Sequence, residues 1–63
     1  MNSQIRQQAQ KVKDQRAFVE HERQKMRNGM LNPRVFESYE MRLQEQEEYL
    51  CTLVLEFLES EPS

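Results

Sequence analysis

Apolar residues recur every seven positions in two separate stretches of the chain. Ile5, Val12, Val19 and Met26 form the first series; Phe36, Leu43, Leu50 and Phe57 form the second. A seven-residue apolar repeat in polar surroundings marks a helix that buries one narrow face against another helix. From Gln4 to Asn28 there is no Gly or Pro, and Gln, Lys, Arg, Glu and Ala dominate. These residues lose little rotamer freedom in a helix and do not compete for its backbone. Asn2 or Ser3 can cap the start. Asn28-Gly29 supplies the stop, because glycine takes up the left-handed C′ conformation without a Cβ penalty. Lys25 and Arg27 place positive charge at the negative end of the helix dipole. The restart comes at Asn32, a good N-cap, followed by Pro33 at the first helical position. Leu31 before the cap and Phe36 after it form a hydrophobic staple, and Glu37 puts negative charge near the new N-terminus. Pro62 falls just past the expected end. The pattern predicts helices over about 3–28 and 33–59, joined by a turn at 29–32. Residues 1–63 are thus expected to form one all-α domain, a two-helix antiparallel hairpin (an αα-hairpin).

The register offers a second, independent check. Folded antiparallel, the two series pair Met26 with Phe36, Val19 with Leu43, Val12 with Leu50 and Ile5 with Phe57. The numbers in each pair total 62, which centres the fold on position 31, inside the predicted turn. Neither series is chosen with the other in mind, so their agreement predicts coiled-coil-like packing at a shallow angle. The same total sets Ala9 against Leu53, Arg16 against Gln46 and Arg23 against Tyr39. There the arginine stems are expected to cover the seam while their heads reach water.

The run from Tyr49 to Leu58 is apolar nearly all round, which calls for burial on more than one face. In a hairpin it meets only the opening of the first helix, where Ile5, Ala9 and Val12 stand among glutamines. Leu50, Leu53 and Phe57 fit that contact. Val54, Leu55 and Leu58, together with Tyr49 and Cys51, are left over as a candidate docking face. Phe18 lies beside the first apolar series and is expected either to widen the core or to join the partner surface.

Composition narrows the chemistry. With 63 residues, a chain buries only about 60% of its unfolded surface, so a lone core is marginal. A single Cys excludes an internal disulfide, and with a single His it cannot build a zinc site that wants about four such ligands. Met1 to Gln10 contains Arg6 and five amide side chains but no apolar stretch, unlike a secretory signal. Tyr49 to Leu58, the longest apolar run, is half the roughly 20 residues a membrane span requires and contains Thr52 and Glu56. A cytoplasmic location is expected. The carboxylates, with Glu45, Glu47 and Glu48 as an example, read as a solvated face rather than an acid–base pair in a cleft. His21 sits between Glu20 and Glu22 with no nucleophile near it in sequence, and no glycine-rich phosphate loop occurs. Neither catalysis nor a cofactor is expected.

Charge is split between the halves. Residues 1–31 carry seven basic and three acidic side chains, and residues 32–63 carry two basic and eight acidic. Lys11, Lys13, Arg16, Arg23, Lys25 and Arg27 are of a kind that contacts phosphates. A hairpin, however, lays the basic helix against the acidic one and pairs residues such as Arg16 with Glu45 or Glu47. The net charge of −2 and a lone aromatic, Phe18, in the basic helix favour pairing over nucleic-acid binding.

The segment Glu22-Arg23-Gln24-Lys25-Met26-Arg27-Asn28-Gly29, then Leu31-Asn32-Pro33, Phe36 and Tyr39, leads into an amphipathic helix that ends in dense aliphatics. Over roughly residues 20–58 this resembles the small YscE-like co-chaperones of bacterial type III secretion systems. The stretch from Asn32-Pro33 through Tyr39 and Leu43 is also similar to the needle subunits of those machines, although this chain is shorter and ends differently. The co-chaperone resemblance implies a cytoplasmic, non-catalytic bacterial protein. Its partner would be a tetratricopeptide-like helical-repeat chaperone that holds the needle subunit monomeric before export. By position, partner contact would fall on Tyr49, Val54, Leu55 and Leu58, with Phe18 in addition. Two other readings stay open: a homodimeric four-helix-bundle scaffold or regulator, and a basic-face hairpin that binds RNA or DNA.

Overall fold

A computed structural model of the chain describes residues 3–60. Two helices account for nearly all of them: α1, Ser3–Arg27, and α2, Pro33–Ser60. No strand occurs among the described residues. The observed ends lie within one residue of those expected. Asn2 and Pro62, read as a cap and a terminator, lie outside the described residues.

The turn between the helices is built by the residues that signalled it. Gly29 has φ +74°, the left-handed region. This lets the Met30 amide donate to the Lys25 carbonyl at 2.8 Å and the Gly29 amide to the Met26 carbonyl at 3.0 Å. That pair of bonds is a Schellman motif, which satisfies two carbonyls the helix end would otherwise leave open. Three residues later the Asn32 side chain accepts a bond from the Arg34 amide at 2.8 Å. Its carbonyl accepts the first helical bond, from the Phe36 amide, at 3.1 Å. Asn32 is therefore a working N-cap with Pro33 behind it, where a missing N–H costs nothing.

The helices lie side by side as a rod of 52 × 16 × 12 Å. Val12, Val19, Phe36 and Leu53 are buried between them, and Ile5, Met26, Leu43, Leu50 and Phe57 are half-buried. Both seven-residue series thus face inward. Bonds across the two edges of the seam fix the antiparallel course. Arg16 meets Glu47 and Arg23 meets Glu40, each pair totalling 63 in residue number. Along the other edge Gln4 meets Tyr49, a total of 53. One edge carries residues that follow the seam positions in both helices and the other carries residues that precede them. The two totals therefore bracket the seam, as an antiparallel pair demands.

The positions that accompany the first series differ from expectation. Inward places in α1 go to Gln8, Gln15 and Glu22, three residues after each apolar position, rather than to Ala9, Arg16 and Arg23, four after. Gln8 is only 4% exposed, while Ala9 and Arg16 are exposed. Burial of the Gln8 amide is compensated by the opposite helix. Its Nε2 donates to the Gln46 backbone carbonyl at 3.0 Å and to the Gln46 Oε1 at 2.7 Å. Glu22 is 7% exposed, and its carboxylate accepts from Lys25 Nζ at 3.3 Å. Among the described residues no buried side-chain nitrogen or oxygen lacks a partner. Arg23 comes closest to the expected role: it is half-buried, its guanidinium lies 5.5 Å from the Phe36 ring centre, and it pairs with Glu20 and Glu40.

Candidate docking surface

The last two and a half turns of α2 carry more apolar residues than α1 can cover. At about 100° per residue, Cys51, Val54, Leu55 and Leu58 fall within a stripe roughly 100° wide. This stripe points away from the seam positions Leu50, Leu53 and Phe57. Leu55 is 53% exposed, Leu58 58% and Val54 37%, and Cys51 is an exposed free thiol. The reason lies in composition: a single helix can shield only one side of α2, and its opening offers Ser3, Gln4, Gln7 and Gln10 rather than aliphatics.

Toward the turn the same side of α2 becomes acidic, through Glu37, Glu40 and Glu47. Beside it runs a basic edge of α1 with Arg16 and Arg23. Arg16 Nη2 stands 2.5 Å from Glu47 Oε2, and Arg23 Nη2 stands 3.6 Å from Glu40 Oε2. Arg16 thus pairs with Glu47, one of the two acids expected for it. Seven residues before Arg16 comes Ala9, and seven after Glu47 comes Val54, so this charged edge ends in small and apolar residues at the open end.

Of the five residues expected at a partner surface, the structure brings three together and separates two. Val54, Leu55 and Leu58 share the stripe. Tyr49 lies about 160° around the helix from Cys51, and its hydroxyl accepts from Gln4 Nε2 at 3.3 Å on the opposite edge of the seam. Phe18 is on that opposite edge too, nearer the turn, with its ring packed edge-on against Tyr39 (centroids 4.9 Å apart, planes at 69°). It widens the core there while staying 41% exposed. An open groove of about 390 Å³ adjoins it, lined by Lys11, Asp14, Gln15, Phe18 and Gln46. The position of Tyr49 was readable from helical spacing alone; the near-continuous apolar run around it obscured the distinction.

Among the described residues no three His, Cys, Asp or Glu side chains are grouped as a metal site. Nor is either helix there long and apolar enough to cross a membrane. The described residues form a helical hairpin with an exposed apolar stripe at its open end. No protein-family model, curated protein or solved structure matches the chain.

Proposed function

We propose that the chain is a non-catalytic protein-interaction module. In its most specific form it is a cytoplasmic co-chaperone that steadies a helical-repeat chaperone holding a type III secretion needle subunit. The observation that supports an interaction role is the stripe of Val54, Leu55 and Leu58, large aliphatics left exposed within two turns. Contiguous apolar surface of this kind is costly in water and is relieved when another helix covers it. The resemblance over residues 20–58 supplies the particular partner. Subunits that polymerise through apolar helix faces must be kept apart until use, and a hairpin with surplus apolar surface suits the protein that does so.

Co-expression with a tetratricopeptide-like chaperone and its needle subunit tests this reading. The expected result is a soluble three-part complex with a monomeric needle subunit, lost when Leu55→Glu and Leu58→Glu are introduced together. A chaperone and needle subunit that form an equally stable complex without the chain would contradict the co-chaperone role.

A further inference from the structure

The charged edge and the apolar stripe lie on the same side of the rod, and together they describe a complementary surface. Arg6, Lys13, Arg16, Arg23 and Arg27 recur at three- and four-residue helical spacings along one side of α1, interrupted by Ala9 and Glu20. The neighbouring side of α2 carries Glu37, Glu40 and Glu47 and ends in Cys51, Val54 and Leu58. The side thus has a basic half and an acidic half, running in parallel along its length, with the apolar end on the acidic half.

We propose that this side, when no other partner covers it, closes face to face on a second copy of the chain, with the twofold axis along the length of the hairpin. A rotation about that axis exchanges left and right but keeps each end where it is. The basic half of one copy then faces the acidic half of the other, and the two apolar ends lie at the same end of the assembly, diagonally across the axis from each other. A twofold axis across the rod does the opposite. It sets basic against basic and lays the apolar end over the turn of the second copy. Charge and apolar placement are separate features of the sequence, yet they select the same axis.

Size points the same way. Four side chains over two turns fall far short of the roughly 800 Å² per partner typical of a stable interface. A contact along the whole broad side, 52 × 16 Å, offers roughly that much. The arrangement makes a four-helix assembly in which each α1 faces the α2 of its mate antiparallel. It goes beyond the co-chaperone reading and concerns the isolated chain, so either can fail without the other.

Sedimentation of the 63-residue chain over micromolar to millimolar concentration, combined with cysteine cross-linking, tests the proposal. The expected mass rises from 7.7 kDa to twice that value. Leu58→Glu is expected to weaken the association at least tenfold. Val54→Cys in a Cys51→Ser background places a thiol near the axis and should yield a disulfide-linked dimer under mild oxidation. Lys11→Cys in the same background, on the opposite edge, should not. Cross-linking stays decisive even where Leu58→Glu loses helicity. A chain that remains at 7.7 kDa throughout, or one that links through position 11 in preference to position 54, would overturn the proposal.

Discussion

The two ends of this hairpin are built differently. At the turn, the helices close on each other through buried and stacked side chains, while Met30, Val35 and Met41 stay exposed outside the seam. Val19 and Phe36 are buried, Arg23 lies across the Phe36 ring, and Phe18 packs on Tyr39. Charges are paired across the seam there, and both helix ends are capped by their own sequence. At the open end, α2 presents aliphatics on two sides while α1 answers with amides. Leu53 is buried and Gln8 and Gln46 bond across the seam, but Leu55 and Leu58 stay more than half exposed. The contrast shows that a seam sufficient to hold two helices together need not satisfy either helix. The half that closes most fully and the half that leaves aliphatics exposed occupy opposite ends of one rod.

Breaking the seam near the turn should have the largest consequence. Val19→Asp puts a carboxylate where the side chain is 2% exposed. The desolvation cost of several kcal/mol exceeds what so small a core can spare. Far-ultraviolet circular dichroism is expected to lose most of its helical signal. Leu55→Asp at the open end should keep that signal.

Gly29→Ala should come next. An added Cβ meets no atom within 4 Å, so the cost arises from the backbone alone. Holding a non-glycine residue at φ +74° costs about 1–2 kcal/mol, seen as a lower urea midpoint with unchanged slope.

Replacing the polar contact at the open end sharpens the comparison from the other side. Gln8→Leu together with Gln46→Leu exchanges a bonded amide pair for apolar contact and should stabilise the hairpin by about 1 kcal/mol. Gln8→Leu alone should gain less, because it leaves the Gln46 amide in the seam without its donor. Thermal unfolding of the two variants separates these outcomes.

The smallest effect is expected at Arg16→Ala. Its side chain is 64% exposed and its partner Glu47 39%, a setting in which an ion pair contributes about 0.5 kcal/mol or less. The difference from the unmodified chain should vanish in molar salt.

Much of the fold was legible because it rests on local chemistry. Gly29, Asn32 and Pro33 each do at their own position what their residue type allows, and two seven-residue series meet at one turn. The companion positions were not legible. Whether the second inward place follows the first by three residues or four depends on how the helices roll against each other. A glutamine such as Gln8 reads as surface until a specific acceptor, Gln46, stands opposite it. The candidate surface was half legible. The surplus of Val54, Leu55 and Leu58 follows from counting aliphatics against what α1 can cover. Tyr49 and Phe18 belong elsewhere because each finds a partner across the seam, Gln4 and Tyr39, and such pairings are tertiary facts.

The separation of seam from stripe can be measured on the unmodified chain through Cys51, the free thiol in the stripe. Its alkylation by a small maleimide should proceed in dilute solution as fast as in a short unstructured peptide, and should slow at least tenfold once the chain is concentrated or its partner is added. A rate already slow at dilution would mean that the stripe lies inside the hairpin. A rate that never slows would mean that nothing docks on it.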